Sequence, residues 1–294
     1  MICRPSAAGD GMRRTDRARR LLEDTRVYLS GPMDFVASRA DEEKFGWRNR
    51  VGDLLRRMGV TVFDPWHKPE VRGFFEYGVE NEQTTEARKQ WTFAPGARGA
   101  RARAKVSGGF WPQLHVDLRL VDTSDFVIAH CPTNIYSVGT PHEIVVARQQ
   151  RKPVLFVSPP VTFPAYAALR KHLQRDARGT ALLETLASAV PIKENPTGAP
   201  SLWYMPLVGA ESIFDGFGFA PYRKRFGWPR IPMDDDEDRR RIRKPLLPFL
   251  EGVHRGDLPR KWDNRQERFV ASDDWLLWDM RPARQRPRPR TRRA

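Results

Sequence analysis

Residues 125–157, DFVIAHCPTNIYSVGTPHEIVVARQQRKPVLFV, carry the pattern that decides the fold. The apolar runs 125–130 and 153–157 predict two buried strands, and residues 139–150 between them predict a helix. A strand, a helix and a second strand in this order predict a βαβ unit with parallel strands. Both runs are almost wholly apolar, which is typical of strands that helices cover on both faces of the sheet.

The same alternation extends in both directions along the chain. Three further strands are predicted at 26–30, 60–63 and 190–193, and the last of them is short. Further helices are predicted at 41–58, 113–122, 166–177 and 180–189. We therefore predict an α/β fold, a doubly wound parallel sheet of about five strands, over residues 26–193.

Four segments lie outside this alternation of strands and helices. Residues 1–25 are predicted to be a basic N-terminal arm, and 64–112 to be a long insertion without a clear period, of the kind that forms a functional lid or a disordered loop. Residues 194–280 form an extension rich in aromatic side chains, which must bury against the core or a second subunit. The tail 281–294 alternates Arg with Pro and is predicted to be extended and disordered.

The charge of the chain is concentrated in short segments. The 294 residues contain 51 Lys and Arg against 36 Asp and Glu, a formal charge of +15. Segments 1–20, 95–105 and 281–294 carry +4, +4 and +7, so the rest of the chain is neutral. This distribution argues against a nucleic-acid surface built into the core and favours weak polyanion binding by the tails. If 95–105 folds over a pocket, Arg101, Arg103 or Lys105 would meet a substrate phosphate.

Cysteine content and hydropathy restrict the location of the protein. Two cysteines are too few for a disulfide scaffold, so a reducing cytoplasm is expected. Apolar runs are too short for a transmembrane helix and the N-terminus lacks the apolar core of a secretory signal, so no membrane association is expected.

The chemistry of a parallel sheet lies in the loops that follow its strands. The loop after 125–130 ends in Ser137-Val-Gly-Thr140, which leads into a helix with Glu143 predicted in its first turn. Helix N-termini attract anions, so we expect a lowered pKa for Glu143 and a carboxylate that acts as nucleophile or electrostatic stabiliser. The alternative is a capping box, in which Gly139 or Thr140 is the N-cap and Glu143 bonds back to the backbone.

The other polar residues near these loops are less specific. Asp117, on the helix before 125–130, is by itself typical of an exposed helical acid. His130 and His142 flank the loop without metal-ligand spacing, so neither a metal nor a cofactor is predicted. Cys131 follows the strand and is interpreted as a small buried residue.

Five segments together resemble the nucleoside 2-deoxyribosyltransferase superfamily, which includes the 2′-deoxynucleoside 5′-monophosphate N-glycosidases. They occur in the order of that superfamily: YLSGPM at 28–33, GVTVFDP at 59–65, DLRLVDTSDFVIA at 117–129, SVGTPHE at 137–143 and KPV at 152–154. The resemblance covers roughly residues 26–157, less than half of the chain. It implies a flavodoxin-like sheet and a pocket that is commonly completed by a second subunit.

The resemblance also implies roles for individual residues. Glu143 matches the glutamate that attacks C1′ of the deoxyribose, and Asp117 matches the aspartate that holds the sugar hydroxyl or the nucleophile. Tyr28 matches the residue that orients the glutamate. The remaining positions are expected to bind substrate: Ser30, Gly31, Pro32, Met33, Asn134, Ser137, Gly139, Thr140 and His142.

One departure from the transferases concerns the substrate. The transferases carry an aspartate six residues before the glutamate, where this chain has Ser137. Serine there is similar to the monophosphate N-glycosidases, in which it contacts the 5′-phosphate, and this favours a nucleotide substrate and hydrolysis. The proton for the leaving base could come from His130, His142, Asn134 or the insertion, and the sequence does not choose among them.

Three hypotheses about function follow. The first is cleavage or transfer of an N-glycosidic bond in a nucleoside or nucleoside 5′-monophosphate. The second is a non-catalytic nucleotide-sensing or nucleic-acid-associated module, suggested by the basic segments and the aromatic extension. The third is a glycohydrolase of NAD or another signalling nucleotide that uses the same glutamate chemistry.

Overall fold

The structure of the chain is a computed structural model. It describes residues 22–32, 46–67, 86, 89–133, 137–159, 164–189, 200–204, 206–209, 213–214 and 235–279.

Helices and strands alternate along most of this part of the chain. The helices are α1 (Trp47–Arg57), α2 (Gly96–Thr123), α3 (Gly139–Gln149), α4 (Pro164–Leu173), α5 (Ala177–Ala189) and α6 (Asp235–Arg255). The strands are β1 (Arg26–Ser30), β2 (Thr61–Phe63), β3 (Phe126–His130), β4 (Val154–Val157), β5 (Ile213–Phe214), β6 (Arg260–Asp263) and β7 (Arg268–Ala271). Short 3-10 turns occupy Pro65–His67 and Leu202–Tyr204.

The main sheet is parallel, with the strand order β2-β1-β3-β4-β5. The body of the sheet is formed by β1 to β4, and the two-residue β5 pairs with β4 at one edge. The chain runs from β1 outward to β2 and then returns to the other side of β1 to form β3, so the winding reverses between β1 and β3. In open α/β sheets, ligands bind outside the carboxyl ends of the strands at such a reversal.

One face of the sheet packs against α1 and α6. Leu29 and Ile128 point to this side, where they meet Val51 and Leu55 of α1 and Leu250 of α6. Each of these five side chains is fully buried. The ring of Phe126 also meets that of Phe249 edge-on, at 5.9 Å between centroids. Through α6, the region predicted to be a C-terminal extension therefore packs on the core.

The opposite face packs against α2 and α3. Val127 and Phe156 point to this side and contact Val121 of α2 and Ile144 of α3. Tyr204 covers the outer part of this cluster, with its ring 4.5 Å from that of Phe156. Helices thus cover both faces of the parallel sheet, which confirms the α/β class predicted from its apolar strands.

The strands predicted at 26–30, 60–63, 125–130 and 153–157 and the helix at 139–150 are confirmed to within one residue. The helix predicted at 41–58 is observed from Trp47, and residues 41–45 lie outside the described residues. Near Leu173, α4 and α5 differ from prediction by up to four residues. The strand predicted at 190–193 lies outside the described residues. Leu22, in the segment predicted to be an arm, is buried in the core.

The prediction that 64–112 lacks regular structure is wrong for residues 96–112. They form the N-terminal half of α2, which continues through the predicted helix 113–122. Five glycine and proline positions in this stretch suggest a break, and one of them, Pro112, lies inside the helix. Residues 97–105, however, are Ala, Arg and Lys apart from Gly99, and these are strong helix formers.

Two arginines of this half-helix donate hydrogen bonds to backbone carbonyls of their own segment. The Arg103 guanidinium donates to the carbonyl oxygens of Thr92 (3.1 Å) and Ala94 (3.0 Å), which fixes the start of α2. Arg101 donates to Ala97 one turn earlier (3.4 Å), and Lys105 is exposed.

A small antiparallel hairpin of β6 and β7 follows α6. Arg148 of α3, which is fully buried, connects this region to the core: its guanidinium donates to the carbonyls of Lys152 (2.6 Å) and Asp274 (3.0 Å). None of the helices in the described ranges is both long and apolar enough to cross a membrane.

Candidate active site

Three polar side chains meet where β1 ends and α3 begins. Tyr28 and Ser30 are two residues apart on β1, so both side chains point to the face that α3 covers. The Tyr28 hydroxyl donates to Oε1 of Glu143 at 2.8 Å, and the Ser30 hydroxyl donates to Oε2. Both oxygens of the Glu143 carboxylate are therefore held by hydroxyl groups that a single strand presents.

Glu143 is buried, and its burial changes its acidity. Its relative exposure is 9%. Burial raises the pKa of Glu143 from 4.5 to about 6, and the negative charge of Asp117 adds to the rise. The hydrogen bonds from Ser30 and Tyr28 act in the opposite direction. The predicted lowering of the Glu143 pKa is therefore wrong, because loss of solvation outweighs the groups that stabilise the charge.

The position of Glu143 in its helix contributes to this result. Because α3 begins at Gly139, Glu143 is the fifth helical residue, and the first turn contains no acid. The effect of the helix dipole decays within the first turn. The Glu143 carboxylate accepts its hydrogen bonds from side chains of β1. In a capping box it would instead accept one from a backbone N–H at the start of its own helix.

Asp117 lies on α2 near these groups and is partly buried. Its charge raises the pKa of Glu143, and it also contributes to the strong rise in the pKa of Tyr28. Two carboxyl groups from different helices therefore act on one another, which an exposed helical acid would not do. Burial is the main cause of the raised pKa of Tyr28, which therefore stays protonated and remains a donor to Glu143.

The start of α3 is held by Ser137. Its hydroxyl donates to Oγ1 of Thr140 at 3.0 Å, and the Thr140 backbone N–H donates to the Ser137 hydroxyl at 3.4 Å. Thr140 is buried, whereas Gly139 and His142 are exposed. Adjacent helical residues point about 100° apart, so His142 is not directed with Glu143 toward β1.

The predicted substrate-binding residues after β1 are only partly described. Gly31 lies against its neighbours so closely that a Cβ there would be 3.0 Å from the Arg48 guanidinium and 3.1 Å from the His130 carbonyl oxygen. Its lack of a side chain serves this packing. Pro32 is buried. Met33 and Asn134 lie outside the described residues.

Three buried residues near the carboxyl ends of β1 and β2 are not predicted as site residues: Trp47, Arg48 and Asp64. Arg48 is fully buried and lies 3.8 Å from the Asp64 carboxylate, with its guanidinium 5.1 Å from the ring of Trp47. Trp47 in turn stacks on His130 at 4.7 Å. A signal was available, because Arg48 falls on the same helical stripe as Val51 and Leu55 and is therefore a cation at a core position.

Two groups considered in the sequence are buried in forms that limit their chemistry. Burial, reinforced by the charge of Arg48, holds the pKa of His130 well below its ordinary value, so the ring is neutral at pH 7. Burial raises the pKa of the Cys131 thiol, which keeps it protonated and agrees with its interpretation as a small buried residue.

The described residues contain no group of three or more His, Cys, Asp or Glu side chains that could hold a metal ion. With a pKa of about 6, Glu143 is mostly ionised at pH 7. A mostly ionised carboxylate in a poorly solvated position is suited to attack or stabilise an electron-deficient carbon.

In comparisons with family models, curated proteins and solved structures, the chain matched none of them.

Proposed function

We propose that this protein cleaves or transfers the N-glycosidic bond of a nucleoside or nucleoside 5′-monophosphate, with Glu143 as the nucleophile. The observation that carries the proposal is the binding of the Glu143 carboxylate by Tyr28 and Ser30, with Asp117 close enough to act on its pKa. This arrangement lies at the winding reversal, where ligands bind in open α/β sheets. The strand order is also that of flavodoxin-like sheets.

The chemistry follows from the charge that develops on the sugar. As the bond between C1′ and the base nitrogen breaks, C1′ becomes positively charged, and the Glu143 carboxylate stabilises it and forms a bond to it. The electron pair of the broken bond leaves with the base, which takes up a proton. Water then attacks C1′ of the glycosyl-enzyme, which frees Glu143 and gives the hydrolysed sugar; a second base in place of water gives transfer.

The hydroxyls around Glu143 suit this cycle. Tyr28 and Ser30 fix the orientation of the carboxylate before the reaction, so no reorganisation is needed as C1′ approaches. The negative charge of Asp117 disfavours ionisation of Glu143, which keeps the Glu143 carboxylate more basic and therefore more nucleophilic. The Asp117 carboxylate is also the proposed acceptor for a sugar hydroxyl. Ser137 at the start of α3 is the proposed contact for a 5′-phosphate, because helix N-termini attract anions.

The proposal extends to the partners of the protein. We propose a small-molecule nucleotide as the substrate, without a metal or cofactor, in a cytoplasmic protein that assembles as a homo-oligomer. The basic segments 1–20 and 281–294 provide weak polyanion binding in addition, which is separate from the reaction.

The experiment is a substrate panel with a matched pair of variants. The purified protein is incubated with deoxynucleosides, their 5′-monophosphates and NAD, and free base is measured by chromatography. Glu143→Gln should abolish base release, whereas Glu184→Gln, which alters an exposed glutamate on α5, should leave it unchanged. Base release by Glu143→Gln at the wild-type rate would contradict the role of Glu143. Release from NAD alone would favour the glycohydrolase hypothesis.

A further inference from the structure

The first observation concerns how Arg48 is bound. Arg48 is 1% exposed, although it carries a permanent charge. Its Nε donates to the carbonyl oxygen of Leu29 at 3.2 Å, and its Nη2 donates to that of Gly31 at 2.6 Å. These carbonyls belong to the residues on either side of Ser30. A single rigid guanidinium therefore spans the backbone of the residue whose hydroxyl holds Glu143.

The second observation is the ion pair of Arg48 with Asp64, at the carboxyl end of β2. Their charged groups are 3.8 Å apart, and both side chains are almost completely buried. Asp64 is itself fixed, because its carboxylate accepts the Trp66 backbone N–H at 2.9 Å. The desolvation cost of burying two charges can exceed their mutual attraction, so a buried ion pair is weak evidence of a stabilising role. A role in ordering the ends of β1 and β2 accounts for it better.

The third observation is the charge around Glu143. The charged or titratable groups within its electrostatic range are Asp117 from α2, Tyr28 from β1, Arg48 from α1 and the Cys131 thiol after β3. Asp117 opposes ionisation of Glu143, and Arg48 is the cation that favours it. The same cation acts on His130 and Tyr28, so three titratable groups lie within its electrostatic range: Glu143, Tyr28 and His130.

We propose that Arg48 is a positioning residue of the Glu143 site: it holds the backbone on both sides of Ser30 and supplies the buried positive charge that offsets Glu143. That this positioning serves catalysis rests on the proposed function. The positioning of Ser30 and the effect of the Arg48 charge on Glu143 do not depend on any substrate. Because Arg48 is almost completely buried, its effect on the site is assigned to its hold on the Ser30 backbone and to its electric field.

The test measures the titration of Glu143 directly in the ligand-free protein. The side-chain carboxyl is followed by ¹³C NMR from pH 4 to pH 8, and its signal is assigned by its loss in Glu143→Gln. Arg48→Met should raise the pKa of Glu143 by about 0.5 or more, because a buried cation is lost. Arg48→Lys keeps the positive charge, but an ammonium group cannot bond both backbone carbonyls in the fixed geometry of a planar guanidinium. It should therefore restore the pKa of Glu143 only in part.

The matched control is Arg148→Met. Arg148 is as deeply buried on α3, but it donates to Lys152 and Asp274 instead of the carboxyl end of β1. Its replacement should lower stability and leave the Glu143 pKa near 6. An unchanged Glu143 pKa in folded Arg48→Met, or an equal rise in Arg148→Met, would overturn the proposal.

A further variant keeps the proposal falsifiable if Arg48→Met does not fold. In Asp64→Asn the charge of Arg48 loses its partner, so the pKa of Glu143 should fall, and a rise or no change would overturn the proposal. With a substrate in hand, Arg48→Lys should lower kcat with little change in KM. An inactive wild type in which Glu143 still responds to Arg48 as expected would refute the proposed function and leave this inference intact.

Discussion

Replacing Glu143 with glutamine should stabilise the folded protein at neutral pH while it removes the reactive carboxylate. The two side chains have nearly the same shape. The Tyr28 and Ser30 hydroxyls bonded to Glu143 can each donate or accept, so both can also satisfy an amide. The main change is the loss of a buried negative charge.

The magnitude follows from the pKa of Glu143. A rise from 4.5 to about 6 corresponds to about 2 kcal/mol, at about 1.4 kcal/mol for each pKa unit. A carboxyl group with a higher pKa in the folded protein binds its proton more tightly there, so the free energy of unfolding falls as the pH rises from about 4.5 to about 6. Above that range the loss is complete, and below it there is none. Glutamine has no such loss at any pH.

The assay is urea unfolding of both proteins at pH 4 and pH 8, followed by the fluorescence of the nine tryptophans. The variant should match the wild type at pH 4 and exceed it by about 1–2 kcal/mol at pH 8. Glu184→Gln alters an exposed glutamate and keeps Glu143, so it should follow the wild type at both pH values. A Glu143→Gln variant that is less stable at pH 8, or that differs equally at both pH values, would refute the reasoning about buried charge.

Two further predictions concern the neighbours of Glu143. Burial is the main cause of the raised pKa of Glu143, and Asp117→Asn removes the charge that adds to it, so that pKa should fall below 6. The acid limb of the pH–rate profile should then move to lower pH, and a limb at the wild-type position would show that the two carboxyls do not interact. Gly31→Ala places a methyl group 3.0 Å from the Arg48 guanidinium and 3.1 Å from the His130 carbonyl oxygen, so the free energy of unfolding in urea should fall by about 1–2 kcal/mol. An unchanged midpoint of the Gly31→Ala transition would mean that the ends of β1 and β3 separate at little cost.

Local sequence patterns were enough to predict the central elements. Residues 27–29, 126–129 and 153–157 are apolar, because strands covered on both faces have no solvent side. The helix at 139–150 was equally clear, since it connects two such strands. The pairing of Tyr28 with Glu143, 115 residues apart in the chain, came from the family resemblance rather than from any local rule.

Local patterns failed where two effects compete. For residues 96–112, Gly and Pro argued for a loop and Ala with Arg for a helix, and the sequence alone does not weigh one against the other. The edge strand β5 has only two residues, which is too short to give a periodic signal. Arg48 was overlooked because a charged residue in a helical stripe is normally exposed, and only its partners on β1 and β2 explain its burial.

The sequence by itself determined the class of the fold and the residues at its centre, because apolar periodicity reports directly on which faces are buried. It also pointed to Glu143. Only the tertiary structure decided the state of that residue. Its acidity depends on burial, on Asp117 and on two hydroxyls that lie far away along the chain, and the balance of these effects exists only once the chain has folded around them.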